Sequence, residues 1–221
     1  MSEIETTRNI DSLIEKEINA FNARHLYGKD ILFKRENDRS KQLQGIDGYI
    51  SVPELGIIDA PCDEKASGQY VNNALPTFLM ELSQVTLGGN IVDGWFLDEK
   101  NQSEYYMLMY LWAGVPQTVV NGKLKAEWKE IKRNNISLVE FYLVEKKKLQ
   151  EYIKECGFDG ERLKKGANYL REHMELDEVP TKYGFKFKIS RKLRECPVNL
   201  CIDRQVYNKI CTMHGYANKF D

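Results

Sequence analysis

The sequence lacks an excess of either charge: Lys and Arg total 32 against 33 Asp and Glu, for a net charge of −1. Bulk charge therefore cannot hold a polyanion, and any nucleic-acid contact has to be a local patch. Long apolar runs are also missing; none approaches the roughly 18 residues of a membrane span, and the opening Met1-Ser2-Glu3-Ile4-Glu5 does not follow the basic-then-apolar order of a signal peptide. The expectation is a cytoplasmic chain with no membrane partner. Cysteine is sparse: Cys62, Cys156, Cys196, Cys201 and Cys211 are odd in number, scattered and without a Cys-x-x-Cys pair, which argues for reduced thiols. Cys201, Cys211 and His214 have no recognised zinc spacing. No Ser or Cys sits in a nucleophile elbow, and Gly88-Gly89 reads as a turn, so a phosphate-cradling glycine loop is absent too.

What remains is 221 residues, 42% hydrophobic, 29% charged and 11% aromatic, a composition that excludes disordered and collagen-like classes. A chain of this length buries on the order of 70% of its unfolded surface. With no repeat and no long linker, it reads as one domain over 1–221, its C-terminal part adding helices and strands to the main unit.

Ile10, Leu13, Ile14, Ile18 and Phe21 recur at helical spacing over residues 9–26. Glu17 falls inside that apolar stripe, whereas Glu15 and Lys16 point away from it. From Ile31 to Val119 the pattern is mostly short strands: 45–52 alternates, 57–66 is extended, and 94–97 and 104–112 flank a polar turn. Between them, Val71, Ala74, Leu75, Phe78, Leu79 and Leu82 predict a helix across 70–85, with Glu81 at the edge of its apolar stripe and on the surface. Further on, 136–143 reads as an apolar strand, 144–156 as a basic helix, and 185–189 and 198–202 as a strand pair followed by a short terminal helix from Asp203.

The segment with chemical content is Asp63-Glu64-Lys65, which follows Asp47 in the preceding strand. Alternation projects Asp63 and Lys65 to one face and Glu64 to the other. If the two strands pair, Asp47, Asp63 and Lys65 converge. Two nearby carboxylates repel unless a cation separates them, and hard oxygen ligands suit Mg²⁺; a Lys beside the ion can position or help deprotonate an attacking water. Other acid-x-Lys triplets, such as Asp98-Glu99-Lys100 and Glu145-Lys146-Lys147, lie in polar turns or solvated stretches. Near the end, Lys186 and Lys188 share a strand face, and with Arg191 and Lys192 they form a basic cluster suited to phosphates.

Asp47 in Gly45-Ile46-Asp47-Gly48-Tyr49-Ile50, then Cys62-Asp63-Glu64-Lys65-Ala66, behind a helix bearing Glu17, resembles the PD-(D/E)xK nuclease superfamily. Ile46 stands where that motif usually has Pro. The resemblance implies an α/β protein with a restriction-endonuclease-like core, a mixed central β-sheet flanked by helices. It also implies Mg²⁺-dependent hydrolysis (Mn²⁺ as the alternative ion) of phosphodiesters in nucleic acid, DNA favoured, sometimes by paired copies in a homodimer. Asp47, Asp63 and Glu17 would be the metal-binding acids, and Lys65 would orient the water. The alternative expectation is a non-catalytic nucleic-acid-binding or assembly module on the same fold.

Overall fold

The computed structural model describes residues 3–28, 30–120 and 123–219, with side chains from Ser12 onward except those of residues 123–124. Its elements are α1 (Glu3–His25), β1 (Leu32–Arg35), α2 (Arg39–Gln42), β2 (Gly48–Val52), β3 (Ile57–Ala66), β4 (Thr77–Val85), β5 (Ile91–Asp93), β6 (Tyr105–Ala113), β7 (Gln117–Val120), β8 (Lys123–Ala126), β9 (Ile136–Glu145), α3 (Lys146–Glu155), α4 (Gly160–Glu172), β10 (Glu178–Pro180), β11 (Phe185–Ile189), β12 (Val198–Asp203), α5 (Arg204–Ile210) and β13 (Met213–Asn218). The architecture is mixed α/β, with a six-stranded central sheet in the order β1-β2-β3-β6-β9-β13 and a five-stranded second sheet in the order β10-β11-β12-β4-β5.

The central sheet is mixed because β3 and β6 run parallel while its other neighbouring strands are antiparallel. Strand β6 is apolar almost throughout and is covered on both faces, as expected of a central strand. Met107, Met109 and Leu111 pack beneath α1 with Ile14, Ile18 and Phe21. Tyr106, Leu108 and Tyr110 face the other core, shared with α3, α4, α5 and the second sheet. Each fully buried Ile, Leu or Phe contributes roughly 1.5–3 kcal/mol, so the helix that carries the candidate acids is firmly docked.

The helix expected across 70–85 is a strand instead. Asn72 takes a left-handed backbone conformation (φ 64°), and its carboxamide exchanges hydrogen bonds with the Ala113 backbone at 2.8 and 2.9 Å. From Thr77 the chain pairs with β12 on one side and β5 on the other. Phe78, Leu79 and Leu82 fit a helical period and Phe78, Met80 and Leu82 an extended one, and long-range pairing decides between them. The connection from β3 to β6 therefore passes through a second sheet rather than a helix. Residues 95–97 are a turn rather than strand, and β13 closes the edge of the central sheet after the terminal helix.

Candidate active site

Antiparallel pairing sets Gly48 against Cys62, and the Asp47 N–H donates to the Cys62 carbonyl at 2.9 Å. Asp47 lies one residue before that pairing begins, and its charge reaches the Asp63 carboxyl across the two strands. Glycine is required at 48, since a Cβ there would stand 2.4 Å from the Phe33 ring and 2.7 Å from the Lys34 carbonyl oxygen. The Asp47 Oδ2 also accepts the Glu64 N–H at 2.9 Å, which ties this carboxylate to β3.

Strand alternation then separates the motif into two faces. On one, Lys65 Nζ donates to Asp63 Oδ1 at 2.6 Å. Asp63 is 1% exposed, and its second oxygen, Oδ2, is buried with no hydrogen-bond partner. Burial pushes the Asp63 carboxyl up to about 7; the Lys65 charge pulls it back and the Asp47 charge adds to the rise. For Lys65, burial works against the ammonium, but Asp63 and Asp47 outweigh it and hold its pKa above the ordinary value. Lys65 therefore stays charged at neutral pH, 5.1 Å from the centre of the Trp95 ring. On the opposite face, Glu64 accepts the Tyr27 hydroxyl and pairs with the Arg35 guanidinium, and Arg35 in turn donates to Asn19 Oδ1 at 2.6 Å.

Glu17 is not brought to this cluster. Its Oε2 accepts the Arg133 N–H at 2.8 Å, so it fastens α1 to the loop before β9. The α1 acid that reaches the site is Glu15, which borders the cleft beyond Lys65 and whose charge favours the ammonium. The helical pattern turns Glu15 away from the buried Ile14–Ile18 stripe and Glu17 into it, and the structure accordingly leaves Glu15 exposed and Glu17 half-buried; the side on which β3 lies brings the exposed one to the site. Two more groups escaped the sequence. Glu81, placed on the surface by a helical reading, stands on β4 within the field of Lys65; burial raises its carboxyl and Lys65 opposes the rise. Lys146 donates to the Asn101 carbonyl at 2.9 Å and lies within the field of Asp63, its pKa lowered mainly by burial. Its only sequence signal is its place directly after a central strand.

Among the basic residues near the end, Lys186 and Lys188 do share a face, opposite the buried Phe185 and Phe187. Lys186 pairs with Glu178 at 2.7 Å, while Lys188 and Lys192 are exposed. Arg191 is committed elsewhere: its Nη2 donates to the carbonyls of Leu170, His173 and Leu176 at 2.6, 3.0 and 2.9 Å, which clamps the end of α4. Register carries the Lys188 row across the second sheet through Asn199 to Glu81.

No group of three or more His, Cys, Asp or Glu side chains able to hold a metal occurs among the described residues. What the site offers is a pair, Asp47 and Asp63, with one unpartnered buried oxygen. That suits Mg²⁺, which commonly binds through one or two carboxylates and keeps several waters. No protein-family model matches the chain, and comparison with curated proteins and with solved structures gives no match.

Proposed function

We propose that this protein is a metal-dependent nuclease of the PD-(D/E)xK superfamily, with a restriction-endonuclease-like core formed by α1, β1, β2, β3 and β6. The observation that carries the reading is Asp63: a carboxylate buried beside a second carboxylate, with one oxygen bound to a Lys two residues on and the other unpartnered. The neighbouring Glu64 meets a hydroxyl with one oxygen and a cation with the other; Asp63 has a second acid, Asp47, where Glu64 has that cation, and a bound cation would relieve the repulsion. The meander β1-β2-β3 followed by β6 parallel to β3 supports the reading, while the helix that the resemblance implies between β3 and β6 is replaced here by strands of the second sheet.

Asp47 and Asp63 would hold Mg²⁺, which when bound supplies Lewis-acid stabilisation of charge on a phosphoryl oxygen. Lys65 remains an ammonium, so it acts as a donor: it orients the attacking water or a non-bridging oxygen rather than removing a proton. In hydrolysis the water oxygen bonds to phosphorus as the bond to the leaving oxygen breaks; the water loses a proton and the leaving oxygen gains one.

The test is cleavage of single- and double-stranded DNA and RNA with Mg²⁺, Mn²⁺ or EDTA, comparing native protein with Asp63→Ala and Lys65→Ala. Metal-dependent scission lost in both variants, with unchanged circular dichroism, is expected. Scission that persists in both refutes the assignment. The second reading, a non-catalytic nucleic-acid-binding module, is favoured by the diversion of Glu17 to Arg133, and salt-sensitive binding without scission would establish it.

A further inference from the structure

Beyond Lys65, the end of β3 opens into a cleft of 430 Å³, within the roughly 300–1,000 Å³ of small-ligand sites. Its walls include Ile14 and Ile18 of α1, Tyr70, Phe78 and Leu79 of the crossover, and Trp128. Tyr70 is 50% exposed and Leu79 42% exposed, so apolar and aromatic surface stands open to water directly beside a charged centre. Of the charged residues on its lining, Lys65 is engaged with Asp63, Glu64 is matched by Arg35, and Glu15 lies at the exposed margin. Among the described residues that line this cleft, a phosphate would find no cation other than Lys65. A flat, uncharged group with apolar faces and a polar edge would find aromatic walls and the exposed Gln69 carboxamide, which can both donate and accept.

A nucleobase has those properties, and one attached next to a phosphate held at Lys65, which lines the cleft, would lie at its mouth. A base inside a duplex is stacked and paired, and entering a pocket requires it to be taken out of the stack. We infer that the cleft receives the base of an unpaired nucleotide adjoining the scissile phosphate, so that the substrate is single-stranded or locally unstacked nucleic acid. The inference rests on the nuclease reading for the position of the phosphate, while base binding itself requires no cleavage.

The experiment is fluorescence anisotropy in EDTA with a labelled short oligothymidylate, the same strand made abasic at every position, and the strand annealed to its complement. Native protein is compared with Tyr70→Ala and Tyr70→Phe, changes at an exposed side chain that leave the fold intact. The base-bearing single strand is expected to bind about 5- to 150-fold more tightly than the abasic one, the range of a single base–aromatic stack. Tyr70→Ala should reduce that ratio several-fold and Tyr70→Phe should retain it. Equal affinity for the two strands, a ratio unmoved by Tyr70→Ala, preference for the duplex, or no binding at all overturns the inference. Base-dependent binding of a strand that is never cut with Mg²⁺ supports the cleft and counts against the nuclease reading; cutting without base dependence does the reverse.

Discussion

Replacing Asp63 by Asn in the metal-free protein is expected to stabilise the fold at alkaline pH. The carboxyl ionises near 7 in the native protein, against 3.8 ordinarily, chiefly because burial penalises its charge. A raised carboxyl means that the native state holds its proton more tightly than the unfolded chain. Its stabilising contribution is full below the unfolded value and is lost as pH rises through 7. Between pH 5 and pH 8 about two units of that difference are traversed, at roughly 1.4 kcal/mol each, so ionisation of Asp63 costs about 2 to 3 kcal/mol over this window. Asn matches Asp in shape, keeps an oxygen for Lys65, and carries no charge to desolvate. Any fixed penalty of its amide is the same at both pH values, and in the variant Asp47 and Glu15 still favour the Lys65 ammonium. Urea unfolding in EDTA at pH 5 and pH 8 should therefore show the stability of Asp63→Asn relative to native growing by about 2 to 3 kcal/mol. A relative stability that is flat over this range, or that falls, refutes the account of Asp63 as a buried carboxylate short of a partner.

Arg191→Ala should cost about 3 kcal/mol in urea unfolding, because three carbonyls lose one charged donor, and nucleic-acid affinity measured on the folded fraction should not change. Lys188→Ala should behave in the opposite way: stability within about 0.5 kcal/mol of native, and a salt dependence of nucleic-acid binding shallower by about one phosphate contact. Glu140 lies buried on β9, where Oε1 accepts the Arg204 guanidinium and lies 3.0 Å from both the Tyr142 hydroxyl and His214 Nε2. Burial opposes its charge, but hydrogen bonds from Arg204, His214 and Tyr142 prevail and keep the carboxyl below its ordinary 4.5. Its stabilisation is thus complete above that value and lost as pH falls through the lower folded one. Glu140→Gln should cost about 3 kcal/mol at pH 7, with the cost shrinking in acid, as followed by urea unfolding across pH 3–7.

The parts of the fold legible in the sequence are those where one signal dominates. The continuous apolar run at 105–113 is a doubly covered strand, the alternation at 185–189 separates Phe from Lys, and Asp203 marks the start of α5. The crossover was not legible, because Phe78, Leu79 and Leu82 satisfy a helical period while Phe78, Met80 and Leu82 satisfy an extended one. Only pairing with the distant β12 selects the strand, and no local pattern reports a long-range partner. The same reason hides Arg191, whose three acceptors lie in the α4 end and the loop after it, and Glu81, which approaches Lys65 only once β4 is a strand. Alternation alone correctly separated Asp63 and Lys65 from Glu64. Helical periodicity drew Glu17 into the stripe and turned Glu15 away from it, but the tertiary placement of β3 sets Glu15 at the cleft and leaves Glu17 with Arg133.

Two adjacent acids on β3 differ in their second neighbour: a cation for Glu64 and another acid for Asp63. Glu64 and Asp63 are both buried, both next to a cation, and both raised by burial. Glu64 meets Tyr27 with one oxygen and Arg35 with the other, a closed arrangement that anchors α1 and β1 to the sheet. Asp63 spends one oxygen on Lys65, whose side chain is 32% exposed, and has the Asp47 carboxyl rather than a second cation as its other neighbour. Substituting a well-packed neutral residue for a satisfied buried pair is close to neutral, whereas an unsatisfied buried carboxylate is destabilising as long as nothing binds it. A fold that keeps the second arrangement one residue from the first, with Trp95 from the turn after β5 and Glu81 from β4 brought beside Lys65, accepts a stability cost that packing does not require. A ligand that binds Asp63 would offset that cost, and stabilisation by Mg²⁺ should accordingly be larger in the native protein than in Asp63→Asn.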